Sequence, residues 1–158
     1  MNLTNKQSNA VVLFRILVGW HFFYEGITKL YNPAWTSQAY LNSASGPFKK
    51  IFELLGSDGI IEVVDFLNIA GLAGIGLLLI LGFWEKPAAL AGVVLLLFYY
   101  FSQPPFPGLE QVGAEGNYLF VNKNLIEASG LLVIYCFPTG AYFGLQRFFS
   151  KEKNVQLN

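Results

Sequence analysis

Charge is what this sequence has least of. Only 13% of its 158 residues are Asp, Glu, Lys or Arg, about half the share of an average soluble domain. Ten basic residues balance ten acidic ones, so the net charge is zero. That balance excludes the basic excess or stripe of a nucleic-acid binder. A 54% hydrophobic content excludes a disordered chain. Cysteine and histidine occur once each, at Cys136 and His21. One of each cannot build a His/Cys zinc site, a bis-histidine haem, an iron–sulfur cluster or an intramolecular dithiol, so no metal is expected. Neither phosphate-binding loop, GxGxxG or GxxxxGKS/T, is present.

What is there is apolar and long. Uncharged runs cover Phe66 to Trp84 (19 residues), Pro87 to Leu109 (23 residues) and Ala128 to Gln146 (19 residues). A bilayer core about 30 Å thick takes roughly 20 helical residues. A buried soluble bundle would need polar faces on these helices. A further span, from Ala10 to Tyr31, has the right length although Arg15, His21, Glu25 and Lys29 interrupt it. Arg15 and the lack of a small-residue cleavage site set it apart from a secretory signal. The expected fold is therefore all-α, one domain over residues 1–158. It is a four-transmembrane-helix bundle with spans at about 10–31, 60–83, 87–103 and 119–137.

Short interfacial helices are expected in the first outer link and at the C-terminus. Asn32-Pro33 reads as an N-cap followed by a first-turn proline, predicting a helix over 33–43. Residues 47–55 put Phe48, Ile51, Phe52 and Leu55 on one face. Residues 141–150 predict a second such helix. Ser57-Asp58-Gly59 reads as a turn, Glu85-Lys86-Pro87 as a tight link, and Gln103 to Gly108 as irregular. Lys6, Lys86, Arg147, Lys151 and Lys153 lie on one side of this topology, against Lys49 and Lys50 on the other. By the positive-inside rule both termini are cytoplasmic, in the cell (inner) membrane. The outer links carry Glu53, Asp58, Glu62, Glu110 and Glu115.

Ionisable residues inside spans carry the functional signal, because they are expensive there. At about 100° per residue, Arg15, His21, Glu25 and Lys29 fall within one arc of about 120° on the first span. The opposite arc, with Val12, Leu13, Ile16, Trp20, Phe23, Tyr24, Ile27 and Leu30, should face lipid. Gly19 and Gly26 beside the charged arc should let a helix approach closely, and Gly71 to Gly76 reads as a packing face. His21, Glu25 and Lys29 are spaced four apart, as are Lys123 and Glu127. The topology brings Glu25, Lys29, Lys123 and Glu127 to one outer depth, with Asp65 nearby, His21 about a turn deeper and Arg15 about 15 Å below Glu25. Charges near helix ends also pair simply to fix packing, or snorkel. Arg15 suits an anchor for a carbonyl or a head group. Tyr24, Tyr99, Tyr100, Tyr118, Trp35 and Trp84 read mostly as interface-belt aromatics.

The first span, Arg15-Ile-Leu-Val-Gly19-Trp-His21-Phe-Phe-Tyr-Glu25-Gly26-Ile-Thr-Lys29-Leu30, resembles the opening helix of the DoxX family of small four-helix membrane proteins. Asn122-Lys123-Asn124-Leu-Ile-Glu127 resembles that family's last helix, and the Lys86-Pro87-Ala88 link also fits. The resemblance implies a membrane subunit of the kind associated with thiosulfate:quinone oxidoreductase. It implies quinone as the cofactor and a redox partner protein as the electron source, since nothing in the chain stores electrons. On that reading Glu25, Glu127 and His21 handle protons. Arg15, Lys29, Lys123, Asn122 and Asp65 bind the substrate. Beyond the lipid bilayer and the redox partner, a homo-oligomer is compatible with the sequence. The alternative is non-enzymatic: a membrane anchor, assembly factor or small-solute carrier whose charges are structural pairs.

Overall fold

The computed structural model describes residues 4–109 and 117–150. Glu110, Glu115, Lys151 and Lys153, used above to orient the chain, lie outside the described residues. The order of elements is α1 (Asn5–Leu30), α2 (Gln38–Asn42), α3 (Lys49–Leu55), α4 (Ile61–Leu81), α5 (Glu85–Ser102), β1 (Asn117–Tyr118), β2 (Val121–Asn122), α6 (Lys123–Cys136) and α7 (Gln146–Ser150). The chain is mostly helical. Three helices, α1, α4 and α5, are long and apolar enough to cross a membrane.

α1 begins earlier than the hydropathy suggests, because Thr4 and Gln7 form a capping box. Thr4 N donates to Gln7 Oε1 at 2.8 Å, and Gln7 N donates to Thr4 Oγ1 at 3.4 Å. The expected span over 119–137 is shorter in the structure. Leu119 takes φ +61 in a hairpin turn, and β1 pairs antiparallel with β2. Asn122 then caps α6, its Oδ1 accepting from Leu125 N at 3.1 Å. The 14 residues of α6 reach about 21 Å, less than a bilayer core.

The predicted helix over 33–43 contracts to α2. Asn32 Oδ1 does accept from Ala34 N at 3.2 Å, but as an Asx-turn rather than a helix cap. α3 turns Phe52 inward and leaves Phe48 and Ile51 exposed. The C-terminal helix is only α7, since turns occupy 139–145. Leu145 N donates to Leu81 O at 2.8 Å and Gln146 N to Gly82 O at 3.2 Å. This stretch thereby satisfies the carbonyls left open at the end of α4.

α1 lies against α4, α4 against α5, α5 against α6, and α6 back on α1 through the lightest of the four seams. The buried side of α1 runs through Ser8, Val12, Arg15, Gly19, Phe22 and Gly26, alternating steps of four and three. The glycines sit in the middle of that face and His21, Glu25 and Lys29 flank it, so the charged arc is the edge of the buried face. Val12, placed with the lipid-facing residues by the helical wheel, is buried. A Cβ on Gly26 would stand 2.5 Å from Ala73 N, and one on Gly19 would stand 3.0 Å from Gly76 O, so the two backbones touch. Gly71 and Gly74 differ from the expected packing face: nothing lies within 4 Å of a Cβ at either.

Candidate functional site

The two ends of the bundle hold two separate polar assemblies. At one end α1 and α5 finish while α4 and α6 begin. A pocket of about 330 Å³ lies there. Phe22, Leu72 and Leu96 form its apolar part, Trp35, Tyr40 and Tyr99 its aromatic part. His21, Glu25, Lys29, Asn68, Lys123 and Glu127 supply its polar groups.

These groups are wired to one another. His21 Nδ1 meets Glu127 Oε1 at 2.7 Å across the α1–α6 seam. The tautomer with hydrogen on Nδ1 is the one that donates to a carboxylate. Lys29 Nζ donates to Asn68 Oδ1 at 3.2 Å and stands 3.8 Å from Glu25 Oε2. It also lies 5.0 Å from the Trp35 ring centroid and 5.8 Å from that of Tyr99. Aromatic faces hold an ammonium by their quadrupole. Asn68 Nδ2 donates to the Tyr99 hydroxyl at 2.6 Å. Asn68 therefore uses its acceptor on Lys29 and its donor on Tyr99, which leaves the phenol's own hydrogen for another acceptor. Tyr40 stacks edge-on against Tyr99 at 6.2 Å, and its hydroxyl donates to Tyr99 O at 3.3 Å. Burial pushes the Tyr40 phenol up, which keeps it a donor.

The pocket thus brings together His21, Glu25, Lys29, Lys123 and Glu127 of the sequence-predicted residues. Three others go elsewhere. Asp65 is taken up by Ser37, whose N–H and hydroxyl both donate to Asp65 Oδ1, at 2.9 and 2.5 Å. Asn122 is buried as the cap of α6. Arg15 sits at the opposite end, fully buried. Its Nη1 donates to Thr139 Oγ1 at 2.9 Å and to Glu85 Oε2 at 3.4 Å, and its Nη2 to Phe143 O at 2.7 Å. Glu85 also accepts from Thr139 N at 2.9 Å and from Gly140 N at 2.5 Å. The slot for the guanidinium needs glycine: a Cβ on Gly82, whose φ is +61, would lie 2.8 Å from Arg15 Nη1. Arg15 is therefore a carbonyl anchor that ties α1 to the turn after α6, and it does not reach the pocket.

Sequence reasoning missed Asn68, Tyr99 and Glu85. Asn68 was legible as the amide inside an otherwise apolar run. Tyr99 and Trp35, read as interface-belt residues, instead face Lys29. Glu85, read as part of a link, is the first residue of α5 and almost completely buried. Its signal was being an acid at the same end of the topology as Arg15. Among the described residues no three His, Cys, Asp or Glu side chains stand close enough to hold a metal ion.

The sequence model of one protein family, DoxX, matches residues 10–103, more than half of the 158-residue chain. The match runs from within α1 through α5 and ends at Gln103, ahead of α6. No curated protein and no solved structure matches the chain.

Proposed function

The chain belongs to the DoxX family, and on that premise we propose that it is a quinone-linked oxidoreductase subunit that works with a redox partner. In this reading α6 makes a fourth crossing, both termini are cytoplasmic and the pocket opens near the outer leaflet of the inner membrane. The observation that carries the reading is the pocket's composition. Two acid–base pairs, His21–Glu127 and Glu25–Lys29, line an aromatic cavity of about 330 Å³. Small-molecule pockets run from about 300 to 1,000 Å³, with few but convergent polar groups. The fit to a quinone head group is good: Trp35, Tyr40 and Tyr99 offer flat faces, and Lys29, His21 and Tyr99 offer donors to its oxygens.

A bound quinone supplies a two-electron acceptor that also takes up two protons. The chain's residues hold and move the protons. His21 keeps one on Nδ1 against Glu127, which fixes the ring and leaves Nε2 for the pocket. Lys29 is oriented by Asn68 and balanced by Glu25. Tyr99, pinned by the same amide, presents its hydroxyl hydrogen. Electrons come from a partner carrying a flavin or a dithiol.

Glu127→Gln tests the reading. It keeps the shape and a hydrogen-bond acceptor but loses the carboxylate charge beside His21. Partner-coupled quinone reduction should fall by about 10²–10⁴, and native mass spectrometry of protein from its own membranes should show co-purified quinone. Unchanged reduction, or protein carrying phospholipid alone, refutes it. One observation favours the non-enzymatic anchor or carrier reading: Glu25 and Lys29 are an i,i+4 pair on one helix. If that pair is only structural, exchanging the two residues restores whatever each single charge reversal removes.

A further inference from the structure

His21 lines the pocket, yet its side chain is 53% exposed. Its neighbours on α1, Leu17, Trp20 and Tyr24, are all more than half exposed and point away from the bundle. His21 stands nine residues before the end of α1, about 14 Å down the helix from the pocket end. The pocket wall is therefore open at hydrocarbon depth. A hydrogen-bonded imidazole facing lipid there is expensive and would be buried, as its partner Glu127 largely is, if it served packing alone.

The opening lies on the α1–α6 seam. Phe14, His21 and Thr28 are seven residues apart and form one row along that side of α1. Phe14 closes the seam's far end, since a Cβ on Gly130 of α6 would lie 2.5 Å from its Cζ. His21 meets Glu127 in the middle. Thr28 is exposed and its hydroxyl donates back to its own helix, at Glu25 O.

The side toward water is built differently. Trp35, Thr36, Ser37 and Tyr40 come from the link after α1 and stand over the end of the pocket. Asp65 fastens that roof through both Ser37 donors. Gln38 adds bonds from Nε2 to Asp58 Oδ1 at 2.8 Å and to Gly56 O at 3.2 Å.

We propose that the pocket is loaded from the bilayer through the α1–α6 seam, the His21–Glu127 pair being the polar threshold that a tailed ligand's head group crosses. The inference rests on the quinone reading above. It assigns the ligand class as a flat, oxygen-bearing head on an apolar tail that stays in lipid. Asp65 is then a positioning residue for the roof, not a ligand contact.

The full chain in lipid nanodiscs tests this, in a Trp20→Phe/Trp84→Phe background where Trp35 is the remaining tryptophan. An isoprenyl-tailed benzoquinone is supplied in the bilayer and tail-less benzoquinone from water, with Trp35 quenching as the readout. The tailed form should quench faster, and Thr28→Phe should slow it about tenfold without changing the plateau. Asp65→Ala, which removes the oxygen that both Ser37 donors use, should speed the tail-less form and leave the tailed form unchanged. Equal rates for both forms, with no effect of Thr28→Phe, overturn the lateral route while leaving the quinone reading intact. No quenching by either form at any concentration overturns the quinone reading and this proposal with it.

Discussion

Removing either charge of the Arg15–Glu85 pair should do more damage than a single-charge change elsewhere in the bundle, and Glu85 shows why. Glu85 and Arg15 are both almost fully inaccessible, and the carboxylate serves Arg15, Thr139 and Gly140 together. In Glu85→Gln one acceptor oxygen becomes an N–H₂ group. Whichever oxygen that is, it faces at least one backbone N–H, because Thr139 N lies 3.0 Å from Oε1 and 2.9 Å from Oε2. Arg15 is meanwhile left buried without its counter-charge. Breaking a buried pair by removing one partner costs about 3–5 kcal/mol. Arg15→Met should cost a similar amount, because it strands a buried carboxylate and frees Phe143 O. The double variant should cost less than the sum of the singles by about 1–3 kcal/mol, since it leaves no unpaired charge. Reversible unfolding in mixed micelles, followed by far-UV circular dichroism, gives all four corners of the cycle. Ligand binding at the pocket should survive wherever the protein stays folded, since the pair sits at the opposite end. A loss below about 1 kcal/mol for either single variant, or strict additivity, would refute the assignment of this pair as a buried clamp.

Gly76→Val should weaken the α1–α4 contact by about 1–3 kcal/mol or more, because its Cβ would run into the backbone nitrogen of Phe23 and stand 2.6 Å from Gly19 O. Gly74→Ala, with open space around it, should be neutral or stabilising by up to about 1 kcal/mol; the same unfolding assay separates the two. Asn68→Leu should leave the fold intact but lower ligand affinity about tenfold or more, since it removes the shared partner of Lys29 and Tyr99; titration of Trp35 fluorescence reads this. Reporter fusions at the two termini should both report the cytoplasm, and opposite locations would exclude a fourth crossing by α6.

The site was partly legible because charge in a span is rare and helical spacing is rigid. Arg15, His21, Glu25 and Lys29 could be put on one side of one helix from their numbers alone. The meeting of His21 with Glu127 followed less directly, from antiparallel neighbours and a common depth. Asn68 and Tyr99 were harder to see. An amide and a phenol cost less in a span than a charge does, so nothing in their spacing marks them until Asn68 is found bridging Lys29 and Tyr99. Asp65 was drawn to the cluster by depth, but depth does not say which way a carboxylate turns, and Ser37 offered it two donors.

By itself the sequence determined the solvent and the main elements: too little charge and too many long apolar runs for anything but a lipid environment, with a helix period and glycines that mark the α1–α4 seam. Family membership was already carried by the order and spacing of the motifs in the first span, the Lys86-Pro87-Ala88 link and the last helix. Only the tertiary structure decided which charges share a pocket and which do not. Arg15 lies within the same wheel arc as Lys29, yet it is clamped at the far end of the bundle by Glu85 and the turn after α6. The physical reason is that rotation about a helix axis is written in residue spacing. A partner's identity depends on how neighbouring helices are offset and where they end, and those limits are set by turns such as Leu119 and Gly82 rather than by hydropathy.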